Sequence, residues 1–359
     1  QLQAALASGA LTSRQLVLAY LARIAAYDQI GPSLNSIVTL NPAALAQADA
    51  LDKERASKGP RGPLHGIPVL VKDNFDTQDM PTSGGALALA TLQPSQDAHQ
   101  VEKLRSAGAI ILGKTAMHEL AAGSTTISSL TGQTRNPYDL LRSPGGSSGG
   151  TGAAIAASFA AAGMGSDTCG SIRIPAAYQN LFGLRTTRGL ASRTGVIPLS
   201  DTQDVAGPLA RSVADLAIML DATVGSDKRD AITAGADAHV PKSYADALQP
   251  GSLKGARIGV LRSLFTIVPD DGDGKLVYDQ AITAMRNAGA EVIEVAIPGL
   301  DEMLTESGSM YEFVEDLRRY LAAHPGAPVA SLEEIVKAGL LHDQLDKRLR
   351  DPLAGPDRS

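Results

Sequence analysis

Three residues of this chain carry types and spacings from which acyl-transfer chemistry can be built. Ser171 follows Asp167-Thr168-Cys169-Gly170, Ser147 sits in the run Gly145-Gly146-Ser147-Ser148-Gly149-Gly150, and Lys72 closes the apolar run Ile67-Pro68-Val69-Leu70-Val71. A hydroxyl that attacks a carbonyl must lose its proton as it does so, and the oxyanion that forms must meet preorganised N–H donors. Ser171 suits the attack, because the turn before it offers consecutive backbone amides and Gly170 lets a substrate approach closely. Burial pushes a lysine amine towards its neutral, proton-accepting form. Side chains alternate along a strand, so Asp73 points away from Lys72 and need not hold it charged. Two serines and a desolvated lysine can make a hydrolase without histidine.

Each residue also has a plainer reading. Ser171 also reads, as the lesser alternative, as the cap of a helix starting at Ile172. Glycine-serine runs are usually flexible linkers, and a lysine at a strand end is usually a solvated cation. Pro144 before the run and the apolar segment after it argue against a linker around Ser147.

The elements that must position these residues alternate between short apolar runs and helical periodicity. Strands are expected over Ser36–Leu40, Ile67–Val71, Ala109–Leu112, Ile258–Leu261 and Val292–Val295, and helices over Ala98–Ala107, Ser212–Val224 and Tyr278–Ala288. A helix is also expected after Pro42. Thr12 and Gln15 ahead of Leu16, Val17, Tyr20, Leu21 and Ile24 form the pattern of a capped amphipathic helix. Such alternation predicts a doubly wound α/β core, a sheet covered by helices on both faces. The small residues from Thr151 to Ala162 predict a buried central helix. Turn-rich breaks near Gly225–Pro250 and Pro269–Gly274 are where a subdomain boundary is expected.

Composition narrows the function classes. A chain of 359 residues, 44% hydrophobic, can bury a substantial core. The net charge of −6 is spread among interspersed acids and bases, so no basic stripe for a phosphate backbone is present and nucleic acid is not an expected partner. The longest small-apolar stretch, Ala153–Gly165, falls short of the roughly 20 residues of a membrane helix. A single cysteine excludes an internal disulfide. Gln1-Leu2-Gln3 shows no charged segment ahead of an apolar one and hence no signal peptide, leaving open one already removed. The compartment stays open, with the cytoplasm favoured, and so does a homodimer.

Three blocks together resemble the amidase signature family, serine hydrolases of amides and sometimes esters. They are Gly66 to Asn74, Gly132-Gln133-Thr134-Arg135-Asn136-Pro137 running on to Ser143 through Gly150, and Asp167 to Pro175, with 24 positions from Ser147 to Ser171 and 75 from Lys72 to Ser147. The resemblance implies a mixed central β-sheet covered by helices on both faces, in one domain over 1–359 that lacks its C-terminal part, with the catalytic core at about 60–225. It implies Ser171 as acylated nucleophile, Ser147 as a bridging serine after a cis peptide that costs about 3 kcal/mol, and Lys72 as general base. Oxyanion donors are then the backbone amides of Thr168, Cys169, Gly170 and Ser171, with Ser148 as a supporting neighbour and Ala121 and Ser148 as substrate-side positions. No metal or cofactor is implied, and the substrate is a small amide, ester or carbamate. Cys169 stands where the family more often has glycine, which narrows the acyl side of the pocket. An inactive member serving as a binding protein, and a branch that transfers ammonia within a tRNA amidotransferase assembly, are the alternatives.

Other patterns compete less well. Gly108 to Thr115 fits the phosphate-loop pattern G-x-x-x-x-G-K-T, but its four intervening residues read as an apolar strand. Cys169 as nucleophile lacks a histidine in a recognisable pattern among His65, His99, His118, His239, His324 and His342. His118-Glu119 is half of a zinc motif with Ala122 in the second ligand position, and reads as a helix-surface pair. Asp270-Asp271-Gly272-Asp273-Gly274 lacks a calcium ligand at Lys275 and reads as a solvated turn. Arg173 is expected to brace the Asp167–Ser171 turn rather than bind an anion.

Overall fold

The computed structural model describes residues 1–266, 272–305 and 312–354. The packing divides into two units, Gln1–Ser243 with Ser309–Ser359, and Tyr244–Gly308.

The first unit is organised around a mixed sheet. Its strands are β1 (Ile37–Leu40), β2 (Pro68–Lys72), β3 (Ile110–Thr115), β6 (Ala162–Asp167), β7 (Phe182–Gly183) and β8 (Val205–Ala210), and a separate short hairpin pairs β4 (Ile127–Ser128) with β5 (Gly132–Gln133). The spatial order is β1-β3-β2-β6-β8-β7. β2 lies parallel to both β3 and β6, whereas β1, β8 and β7 run antiparallel to their neighbours. Every residue of β2, β3, β6 and β8 is buried, as strands covered on both faces must be.

Helices supply the cover. α1 (Leu2–Ala7), α2 (Ser13–Tyr27), α3 (Ala44–Lys58), α4 (His99–Ser106), α5 (Gly149–Ala156), α6 (Arg173–Tyr178) and α7 (Val213–Thr223) belong to this unit. The expected cap on α2 is present, with Thr12 and Gln15 forming a reciprocal capping box. In the second unit, β9 (Arg257–Val260) pairs in parallel with β10 (Glu291–Glu294) beside α8 (Gly272–Asn287) and α9 (Leu300–Thr305). The chain then returns to the first unit through α10 (Phe313–Ala322), α11 (Leu332–Ala338) and α12 (Asp346–Arg350). Phe313, Leu317, Leu332, Ile335 and Leu349 from these last helices share a core cluster with Met117, Leu120 and Leu199.

Two expectations require correction. The helix after the glycine-serine run ends at Ala156 rather than Ala162, and Ser158 takes a left-handed φ of 58° before the chain enters β6. That strand, Ala-Gly-Met-Gly-Ser-Asp, lacks the β-branched residues that mark strands because α5 packs directly on it: a Cβ at Gly163 would lie 2.5 Å from Thr151 Cγ2. Further on, Gly272–Gly274 opens α8 rather than forming a solvated turn, while Asp270 and Asp271 lie outside the described residues.

Candidate active site

β2 ends by delivering Lys72 into the interior. Its side chain is fully buried, and Nζ donates to Ser147 Oγ at 2.7 Å and Ser166 Oγ at 2.8 Å. Ser166 Oγ also accepts from Asn74 Nδ2 at 3.0 Å, so one hydroxyl links both residues. Burial drives the Lys72 amine down to about 7, against the opposing pull of Asp204 and Asp167. Asp73 lies on the other side of the strand, where its carboxylate accepts from the backbone N–H and hydroxyl of Ser83 and lies 3.4 Å from Lys114 Nζ. Lys114 also donates to Pro81 O and Thr82 Oγ1, and Gly113-Lys114-Thr115 finish a buried strand, not a phosphate loop.

The glycine-serine run is buried from Pro144 to Gly150 and is no linker. Its Gly146–Ser147 peptide is cis. Ser147 O accepts from His118 N at 3.0 Å, which ties the run to the segment after β3. Glycine at 150 is forced by proximity, since a Cβ there would stand 2.2 Å from Ala116 O. Ser148 N donates to Ser171 O at 3.1 Å, and Ser148 Oγ to Ser166 O at 3.2 Å. Ser148 is therefore a fully buried brace between β6 and the loop that carries Ser171, not the substrate-side residue expected.

Ser171 precedes the N-cap of α6, Ile172, and so does not cap that helix. Its loop is organised by the Asp167 carboxylate, which accepts from Gly170 N at 2.8 Å, Ile172 N at 3.0 Å, Arg173 Nε at 3.2 Å and an Arg185 guanidinium nitrogen at 3.0 Å. Burial raises the Asp167 carboxyl, but these donors outweigh it and hold the group below its ordinary range. Gly170 takes φ +134°, which L side chains rarely adopt, and a Cβ there would press to 2.7 Å from Ile174 Cδ1. The donor set expected for the oxyanion needs one correction: the Gly170 amide is already committed to Asp167, while those of Thr168, Cys169 and Ser171 make no hydrogen bond among the described residues. Thr168 Oγ1 donates to Asp204 at 2.5 Å, and Asp204 also accepts from Leu199 N and Ser200 N.

A cavity of about 480 Å³ opens at Ser171, with Cys169, Ala121, Gly146, Ile174 and Leu199 in its walls. Ala121, at φ 59°, and the exposed Cys169 thus share the nucleophile's cavity. Sequence reasoning missed four residues here. Ser166 bonds Lys72 but sits in a strand the sequence hid. Gln344 and Arg348 line the cavity from a distant stretch of chain. His118 also lines it and is buried with Glu119, which corrects the surface-pair reading; Glu119 accepts from both the amide and hydroxyl of Ser129. Burial, then the positive charges of Arg348 and Lys72, push His118 down to about 4, so it is neutral at pH 7. Among the described residues no three metal-ligating side chains cluster, and no helix is long and apolar enough to cross a membrane.

The family model described as Amidase matches residues 15–351. The chain belongs to the amidase signature family. It is 42% identical over 310 residues to a glutamyl-tRNA(Gln) amidotransferase subunit from Acidothermus cellulolyticus, covering 85% of this chain and 59% of that protein. The counterpart from Methylobacillus flagellatus is also 42% identical, again with 59% of its length covered. The chain therefore spans about three-fifths of these curated relatives. Among solved structures, native peptide amidase from Stenotrophomonas maltophilia superposes with a TM-score of 0.87 at 42% identity over 97% of this chain and 71% of that one. An amidase family protein from Bacillus anthracis str. Ames superposes at 0.86 with 36% identity, covering 97% of this chain and 69% of its own. The mixed six-stranded sheet flanked by helices is the fold of this family.

Proposed function

We propose that this protein hydrolyses amide bonds through an acyl-enzyme on Ser171, with Ser147 and Lys72 as its proton relay. The observation that carries the reading is the 2.7 Å hydrogen bond between Ser147 Oγ and a buried amine that titrates near neutrality. Neutral Lys72 takes the Ser147 proton while Ser147 takes that of Ser171, and Ser171 Oγ bonds to the substrate carbonyl carbon. The unengaged amides of Thr168, Cys169 and Ser171 receive the oxyanion. Collapse of the tetrahedral intermediate breaks the C–N bond as the relayed proton passes to the departing nitrogen. A water deprotonated by the same relay then attacks the acyl carbon, releasing a carboxylic acid and restoring the Ser171 hydroxyl.

Esters and carbamates present the same carbonyl with an easier leaving group, so side activity on them follows from this reading. A panel of p-nitroanilide, ester and carbamate substrates, run on wild type and Ser171→Ala, tests it: turnover of at least the activated esters is expected, with complete loss in the variant. Turnover that survives Ser171→Ala but is lost with Cys169→Ala transfers the role to the exposed thiol.

A second reading is favoured by the curated relatives, which are amidotransferase subunits. Under it the chain releases ammonia from a carboxamide for a partner to use. Ammonia release from glutamine that rises only when a partner protein is added would mark that role, whereas hydrolysis of simple amides by the isolated chain favours the first.

A further inference from the structure

The charge lining the Ser171 cavity is one-sided. Among the described residues no Asp or Glu side chain faces it, and the one lining group with a full charge at neutral pH is Arg348. Two other arginines close to the nucleophile, Arg173 and Arg185, are both engaged by Asp167, which matches the bracing expected of Arg173. The Arg348 side chain has no ion-pair or hydrogen-bond partner among the described residues. Its backbone is nonetheless fixed: Leu345 and Leu349 are buried in the cluster that holds Leu120 and Ala121, and Arg348, three residues after Leu345, lies on the same side of the chain. A guanidinium held at the mouth of a cavity that is otherwise neutral, with its donors unspent, offers bidentate hydrogen bonds to a carboxylate.

We infer that Arg348 selects substrates carrying a carboxylate, or another anion of similar shape, beside the scissile amide. This deepens the hydrolase reading of the same cavity and rests on it. The alternative role for an exposed arginine, a solvated surface charge, predicts no discrimination between a carboxylate and its ester.

Calorimetric binding to the Ser171→Ala protein separates the two without requiring turnover. The ligands are succinamate, glutaramate and adipamate, which vary the reach from amide to carboxylate, each beside its own methyl ester. At low salt at least one acid is expected to bind about tenfold more tightly than its ester, a preference that weakens as salt screens the exposed pair. Arg348→Met is expected to abolish the preference and Arg348→Lys to retain part of it. In Arg348→Glu, the acid should bind more weakly than its ester. Equal binding of all three acids and esters, or a preference that survives Arg348→Met, overturns the inference. Failure of the hydrolase reading looks different: the acid binds preferentially to Ser171→Ala, yet the wild type never releases ammonia from it.

Discussion

Lys72 is the residue on which the proposed chemistry turns. An unfolded lysine keeps its proton to about pH 10.4, while Lys72 in the fold releases it near 7. Between those values the unfolded chain binds more protons, so stability rises with pH across that window, and the buried lysine costs most below pH 7. Lys72→Met is therefore expected to raise the melting temperature at pH 6 and to lose that advantage by pH 10, as thermal unfolding at the two pH values would read. Over the same range the rate at which a fluorophosphonate phosphonylates wild type should climb with a midpoint near 7, and in Lys72→Met it should be slow and flat. A midpoint near 10 would mean a solvated lysine. Asp167 acts at a different point, holding two loop amides and two arginines. Removing one partner of a buried, charge-paired group costs about 3 kcal/mol or more, so Asp167→Ala should lose about that much stability in urea titration. Lys72, Ser147 and Ser171 stood out as candidates in the sequence because an apolar run ending in lysine precedes two serines that each follow a glycine. Ser166 did not, since nothing local distinguishes a serine that meets a lysine 94 positions away. Nor does sequence reveal that the Gly170 amide is spent on Asp167.

At the scale of elements, β1, β2, β3, β9 and β10 and half of the helices were readable to within a few residues, because β-branched runs and 3.6-residue periodicity mark them. β6 was hidden by a physical cause: α5 lies against it so closely that a Cβ at Gly163 would stand 2.5 Å from Thr151 Cγ2, and the glycines this requires weaken the strand signal at the sheet's centre. Gly150→Ala probes how closely the same helix approaches the segment after β3. In an exposed helix this change gains up to about 1 kcal/mol, yet here the new methyl meets Ala116 O at 2.2 Å. Overpacking of about 1–3 kcal/mol should win, so urea unfolding is expected to show net destabilisation. α10 is anchored differently, through Tyr320 OH to Asp76 Oδ1 at 2.6 Å and His324 Nε2 to Asp76 Oδ2 at 2.9 Å, four residues beyond Lys72. Burial opposes charge on His324, but the Asp76 bond and the Tyr320 carbonyl outweigh it and raise its pKa. The stabilisation is complete below the unfolded value of about 6.5 and fades as pH rises through the folded one. The melting-temperature gap between wild type and His324→Leu should accordingly be widest near pH 5 and narrow towards pH 9.

For the whole molecule, the unequal burial of the two units predicts unequal protection. β2, β3, β6 and β8 are buried throughout, whereas β9 and β10, a two-stranded pair, expose half of their residues and bury only Val260. Hydrogen exchange should be slowest in the first group and much faster in the second, and uniform protection would contradict this. The family was legible from three short blocks, but the cavity was not, because its far wall comes from residues 344–348. Those residues reach Ser171 only through the packing of α10, α11 and α12 on the core, a long-range arrangement with no local signature. The measurement that bears most directly on the account is mass-spectrometric mapping of the fluorophosphonate adduct. A single adduct on Ser171, absent from Ser171→Ala and formed far more slowly in Ser147→Ala, is the predicted result; an adduct on Cys169, or labelling that persists in Ser171→Ala, would contradict it.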